Sequence, residues 1–115
     1  MRLRADFWVA AYIRRCYLEG AAAVLRKRGA EEAGAIFVKL DRLDGTVALF
    51  GPAPQSWTMD RPEERLFAPV PLAASTPLEA EERLAKERAF DPDLWIVEIE
   101  DRDGRCFLDL VGPPA

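Results

Sequence analysis

Between residues 94 and 111 apolar and polar positions alternate at the period of a strand. Trp95, Val97 and Ile99 fall on one face and Glu98 and Glu100 on the other, because successive side chains of an extended chain point to opposite sides. Leu94 and Ile96 share the acidic face, so its first half is expected to be covered and its second half wet. Asp101-Arg102-Asp103-Gly104 supplies turn chemistry: Asp suits the first position of a type I turn, and Gly tolerates positive φ at the fourth. Cys106, Leu108 and Leu110 alternate beyond it. The pattern predicts a central β-hairpin in which 94–99 returns as 105–111. A two-residue loop would set Asp109 against Glu98, like charges directly opposite. A four-residue loop pairs Glu100 with Arg105 instead and is preferred.

A second stretch has the same grammar. Residues 36–45, IFVKLDRLDG, align without gaps on 95–104, WIVEIEDRDG. Val38 falls on Val97, Leu40 on Ile99, Asp41 on Glu100 and Asp44-Gly45 on Asp103-Gly104. Residues 46–50 are expected to complete this hairpin. One account is an internal duplication with a pseudo-symmetric site between the halves. The other, favoured here, is the ordinary likeness of any two hairpins built on Asp-Gly turns.

Helical spacing marks two further segments. Residues 6–19 place Val9, Ile13, Cys16 and Gly20 on one face, widened by Trp8, Tyr12 and Leu18, with Asp6 as N-cap and Gly20 as stop. Residues 76–89 open with Thr76-Pro77-Leu78-Glu79, a capping box. Their expected apolar stripe is Leu78, Ala85 and Ala89 with Leu84, and their expected surface pairs are Glu79 with Arg83 and Glu82 with Lys86. Residues 21–28 read either as an extension of the first helix or as a strand; Gly20 favours the break, and Ala23-Val24-Leu25 before Arg26-Lys27-Arg28-Gly29 suits an edge strand. Five of the nine prolines lie in 51–71, which predicts an extended, ordered loop with a short strand at 64–68 ended by Pro69. The fold class is therefore α+β: a mainly antiparallel sheet built from two β-hairpins, with two helices packed on it and a flexible tail at 112–115.

At 115 residues the chain is read as a single domain, 1–115, with half its residues hydrophobic and 31% charged, which excludes general disorder. No apolar run is long enough to span a membrane, and Asp6 and Arg14-Arg15 interrupt anything like a signal peptide. A cytoplasmic location is the default. Cys16 and Cys106 stand far apart without C-x-x-C spacing and are read as free buried thiols. The net charge of −4 divides unevenly: residues 1–30 carry seven basic and two acidic side chains, +5, and residues 31–115 nine and eighteen, −9. The halves are expected to complement one another within the fold, since a nucleic-acid module is usually basic overall.

Catalytic options are few. There is no histidine, which removes the commonest general base near neutral pH and most zinc sites. No nucleophile-elbow or phosphate-loop motif occurs. Placing either Asp-Gly turn at the fifth and sixth positions of an EF-hand loop puts Ile99 or Leu40 where an oxygen ligand is required. No catalytic residue, cofactor or metal is assigned. The candidate interaction surface is Trp57 and Met59 on the proline-rich loop with Glu98 and Glu100 on the acidic strand face; the competing role for Trp57 is a lid on the core. Candidate anion or nucleic-acid contacts are Arg14, Arg15, Arg26, Lys27 and Arg28, with Arg2 and Arg4 needed on the same surface. Solvated faces and a charged strand edge account for the same residues without any ligand.

Three stretches, RLRADFWVAAYIRRC, GAIFVKLDRLDGTVALFGP and FDPDLWIVEIEDRDGRCFLD, resemble a family of short bacterial proteins known as domain of unknown function 1491, chiefly alphaproteobacterial. The last is the most specific. The resemblance implies a compact, intracellular, single-domain protein and brings no activity, cofactor or catalytic residue with it. The expected function is a small non-catalytic protein-interaction or regulatory module with an unidentified protein partner; the alternative is a nucleic-acid-binding protein using the basic N-terminal segment. No membrane is expected to be involved. A homodimer is expected to pair through the strand edge near residues 22–25.

Overall fold

The computed structural model describes residues 2–114. In chain order it contains helix α1 (Ala5–Leu18), strands β1 (Ala22–Lys27), β2 (Ile36–Asp41) and β3 (Val47–Pro52), a 3-10 turn at Gln55–Trp57, strand β4 (Phe67–Val70), helix α2 (Pro77–Phe90) and strand β5 (Trp95–Glu100). The strands form one sheet in the order β1-β5-β2-β3-β4. Every neighbouring pair is antiparallel except β2 and β5, which run parallel. The class is α+β, as expected, and the sheet is mostly antiparallel.

Alternation sorts the strand residues onto two faces. Ile36, Val38, Leu40, Trp95, Val97 and Ile99 pack with Val9, Tyr12 and Cys16 of α1. Phe37, Leu49 and Ile96 pack with Leu94 and with Leu84 of α2. A helix therefore covers each face, which is why β2 and β5 are apolar on both sides for most of their length.

The hairpin predicted at 94–111 does not form. β5 has β1 on one edge and β2 on the other, so no edge is left for a returning strand. The turn itself is present: the Gly104 N–H donates to the Asp101 carbonyl at 3.1 Å, and Gly104 takes φ +73°. Beyond it the chain crosses to the opposite margin of the sheet. Cys106, Phe107 and Leu108 pack on the α1-side core. The Phe67 N–H donates to the Asp109 carbonyl and the Val111 N–H to the Phe67 carbonyl, both at 2.9 Å, a single parallel bridge between Phe67 and Leu110. Neither Asp109–Glu98 nor Glu100–Arg105 is a strand pair; Arg105 instead grips the buried Asp101 at 2.9 Å.

The other hairpin forms as read, with Val38 opposite Phe50 and Asp41 opposite Val47. The alignment of 36–45 on 95–104 gains a meaning that the sequence did not suggest. Val38 pairs with Val97, Leu40 with Ile99 and Asp41 with Glu100, side by side in the parallel ladder. Parallel in-register neighbours are related by translation, so no pseudo-two-fold site lies between them.

The helices sit within one residue of their predicted bounds, with altered details. Asp6 lies inside the first turn of α1 rather than at its cap; Arg4 holds the N-cap position without a side-chain bond. Gly20, at φ +87°, ends the helix, and the Ala21 N–H closes it on the Cys16 carbonyl at 2.9 Å. Leu18 faces water rather than the core. In α2 the Glu79 N–H donates to Thr76 Oγ1 at 3.2 Å, but the Glu79 carboxylate turns to the Ala73 and Ala74 N–H groups, so half of the capping box forms. The buried stripe is Ala80 and Leu84, while Leu78 is exposed. The pair on this helix is Arg83–Glu87, at 2.9 Å. Pro69 does not end the last short strand; it lies within β4, an edge strand, opposite Phe50, where a missing N–H is tolerated. The tail predicted at 112–115 ends in Ala115, which lies outside the described residues.

Candidate functional site

Glu98 and Arg26, assigned by sequence to two different surfaces, are bonded to each other. Arg26 Nη1 lies 3.1 Å from Glu98 Oε1, and the Arg26 fork binds Glu81 of α2 at 2.7 and 2.8 Å. Lys39 of β2, buried at 7% exposure, reaches Glu81 at 2.8 Å and Glu98 at 3.6 Å. The strand register explains the meeting: Lys39 and Val24 flank Glu98 on the two sides of β5, and α2 lowers Glu81 onto the group. The Arg26 guanidinium, then Lys39, holds the Glu81 carboxyl down to about 2. Two cations facing two carboxylates offset one another, and a buried lysine is tolerated only with such partners. Glu100, at the end of β5, is exposed and stands apart from this group.

The remaining basic residues also fail to converge. Lys27 Nζ donates to the Pro92 carbonyl at 2.6 Å, the Leu94 carbonyl at 2.8 Å and the Arg28 carbonyl at 3.2 Å, tying the end of β1 to the entry of β5. Arg28 lies over the Trp95 ring at 5.2 Å. Arg4 pairs with Asp6 and Glu31. Arg14 is exposed on α1, and Arg15 lies 5.8 Å from the Phe107 ring. Gly29 and Gly34 let the chain close around Trp95, whose Nε1 donates to the Ala30 carbonyl at 2.8 Å. A Cβ on Gly29 would meet the Asp93 carbonyl at 2.2 Å and one on Gly34 would meet it at 2.5 Å. Much of the basic segment thus serves the β1–β5 seam.

Trp57 and Met59 part company. Trp57, half-buried, ends the 3-10 turn, its N–H donating to the Pro54 carbonyl at 2.9 Å. Met59 is 76% exposed. It stands at an open groove of about 510 Å³ formed with Pro52, Gln55, Pro62 and Leu66, with Arg2 and Glu64 also on its wall. The loop joins β3 to β4 at the margin of the sheet away from β1, so Met59 and the Glu98–Glu100 face are separate surfaces.

The thiols have structural surroundings. Burial raises the Cys16 thiol and the Tyr12 hydroxyl, and Tyr12 Oη donates to the Cys106 carbonyl at 2.6 Å. Among the described residues no three His, Cys, Asp or Glu side chains are grouped to hold a metal. Sequence reasoning overlooked Lys39 and Arg65. Lys39 was visible as the one charge in an otherwise apolar strand centre; Arg65 carried no such signal.

The fold and these surfaces define a small α+β domain with a helix on each face of a mixed five-stranded sheet and a charged cluster beneath one helix. Residues 3–109 match the model of the family described as protein of unknown function (DUF1491), and the chain belongs to that family. Solved relatives share the fold over nearly the whole chain. Protein Atu0922 from A. tumefaciens is 44% identical, with a TM-score of 0.82 over 99% of this chain and 98% of its own. A DUF1491 family protein from Caulobacter crescentus CB15 gives 39% identity and a TM-score of 0.79 in its crystal structure, over 96% of this chain and 98% of that one. An NMR structure of a DUF1491 family protein from the same organism gives 40% and 0.78 over 96% and 97%. No curated protein matches the chain.

Proposed function

We propose that the protein is a small non-catalytic interaction module whose contact surface is the groove of loop 53–66, with Met59 as its anchor. The supporting observation is the exposure of Met59, 76% of a flexible apolar side chain, at an open groove of about 510 Å³. Methionine adapts to varied apolar partners, and the proline-bounded loop holds it in place on a rigid sheet. Glu98 is a poorer contact than sequence suggested because Arg26 and Lys39 already occupy it. The test is recovery of partners by tagged protein from a native lysate, with and without nuclease, comparing the wild type with Met59→Glu. A stoichiometric protein that survives nuclease and is lost with Met59→Glu supports the module. Recovery of nucleic acid that nuclease abolishes overturns it in favour of the basic-segment alternative, for which Arg14 and Arg15 are the exposed contacts. We place the protein in the cytoplasm; its two cysteines are free, and no helix among the described residues is long and apolar enough to cross a membrane.

A second reading concerns a second copy of the chain. β1 is a terminal strand of the sheet, and Val24 on it is 56% exposed, so an antiparallel β1–β1 contact across a two-fold axis would bury both. A light-scattering mass of one chain across a concentration series counts against it.

A further inference from the structure

Arg4, Arg26, Arg61, Arg83 and Arg105 are paired with carboxylates; Arg65, though partly buried, is not. Its Nη2 donates to the Leu3 carbonyl at 2.9 Å, its Nε is buried without a partner, and no carboxylate lies within ion-pairing distance among the described residues. Burial and the charge of Arg2 both lower its pKa, the mark of a guanidinium short of counter-charge. Desolvating such a charge without compensation is costly, and a buried donor left unmade calls for an explanation. Arg65 lines a groove of about 190 Å³ between α1 and residues 105–111, together with Arg15 and the rings of Trp8, Tyr12 and Phe107. Trp8 and Tyr12 stack at 4.9 Å and 10°, giving the groove a flat wall. Phe107 sits at φ +56°, a region that bulky side chains rarely adopt. In that pose its ring lies near both Arg15 and Arg105, at 5.8 and 5.1 Å. Asp109 is the one acid on the groove wall and forms no ion pair with Arg65.

We propose that this groove binds a small oxyanion, a phosphate or carboxylate group on a short carrier, held by Arg65 and Arg15 beside the three aromatic rings. Planar guanidinium forks suit such oxygens, and the aromatic walls suit the carrier. At roughly 30 Å³ per water the groove of about 190 Å³ holds about six waters' worth of ligand, enough for a phosphoryl or carboxyl group with a few further atoms. The site goes beyond the interaction surface proposed above and shares neither Met59 nor its loop groove.

The test is a titration of the full chain followed by amide and indole NMR, with inorganic phosphate in one arm and acetate in the other, at constant ionic strength. Saturable shifts at Trp8, Arg15, Arg65 and Phe107 are expected. Saturation by phosphate alone assigns a phosphoryl ligand, and saturation by acetate a carboxylate. Arg65→Met should weaken binding roughly tenfold or more, the loss of a charge-assisted contact. Arg15→Gln, at an exposed position, should weaken it with the melting curve unchanged and decides the matter if Arg65→Met does not fold. Asp109→Asn should tighten it. Shifts that never saturate in either arm, or affinities equal to wild type in the folded arginine variants, overturn the proposal.

Discussion

The segments 36–45 and 95–104 run through the same apolar pattern into the same Asp-Gly turn, yet only the first folds back on itself. After the first turn the Arg42 N–H donates to the Thr46 carbonyl at 3.1 Å and β3 pairs with β2. After the second, Asp101 accepts the Arg105 N–H at 2.8 Å and its guanidinium at 2.9 and 3.0 Å, and the chain departs across the α1 side. Both turns end in a positive-φ glycine, although the first also holds Leu43 at φ +62°; the vacancies beside the strands differ as well. β2 has a free edge for β3, whereas β5 is already flanked by β1 and β2. A strand is specified locally, but its neighbours are allotted by the sheet as a whole.

The heaviest blow to this arrangement is Trp95→Ala. Trp95 is 1% exposed and opposite Ile36 at the start of the β2–β5 ladder. Urea unfolding should show a loss of about 3–5 kcal/mol, as for other buried aromatics; a loss under about 1 kcal/mol, the size of an average substitution, would place the seam outside the structural centre. Next come Gly45→Ala and Gly104→Ala. Both glycines have positive φ, +89° and +73°, and a Cβ at either meets nothing closer than 3.6 Å. Each should therefore cost about 1–2 kcal/mol from backbone strain alone, and a large inequality would show that the two turns lean on their glycines to different degrees. Tyr12→Phe removes the donor to the Cys106 carbonyl. A loss of about 1 kcal/mol is expected, with faster hydrogen exchange in residues 105–111 and none in 46–50.

The mildest test uses charge. Lys39 and Glu98 are the oppositely charged partners of the β2–β5 ladder, and Glu81 closes over them. Its carboxyl falls from 4.5 to about 2 on folding, so its contribution is complete above the unfolded value near 4.5 and disappears as pH drops toward about 2. Glu81→Gln should cost about 0.5–1 kcal/mol at neutral pH, since water screens a carboxylate that is more than a third exposed. It should also flatten the fall of stability with acid. An unchanged acid slope would remove Glu81 from the seam.

Much of this fold was legible in the sequence because it is written locally. Helix spacing placed α1 and α2, period-two alternation placed β2, β3 and β5, and the break at Gly20 placed β1 as an edge strand. What could not be read was partnership at long range. The alternation of Cys106, Leu108 and Leu110 looks like a strand, yet consecutive Cys106, Phe107 and Leu108 pack on the core and Leu110 is exposed, so the period there does not report a sheet face. The parallel β2–β5 ladder leaves no local mark at all. The candidate site was harder still: charges have no period, so Arg26 and Glu98 looked like two surfaces until the register joined them. Arg65 became visible only when its surroundings showed a buried Nε without a partner.

The strand order also sets a timetable for synthesis. β1 pairs with β5 alone, and β2 must wait for the same strand to cover its second edge. When residues 22–52 have left the ribosome, the apolar faces of β1 and β2 have no central strand between them. The nascent chain must hold an open gap in its sheet while the proline-rich loop, β4 and α2 are made. Ladders between distant segments are slow to close and expose aggregation-prone edges meanwhile. Release of residues 95–100 is the moment at which the two halves become one sheet, so shortening the chain by its last quarter removes the keystone rather than a margin.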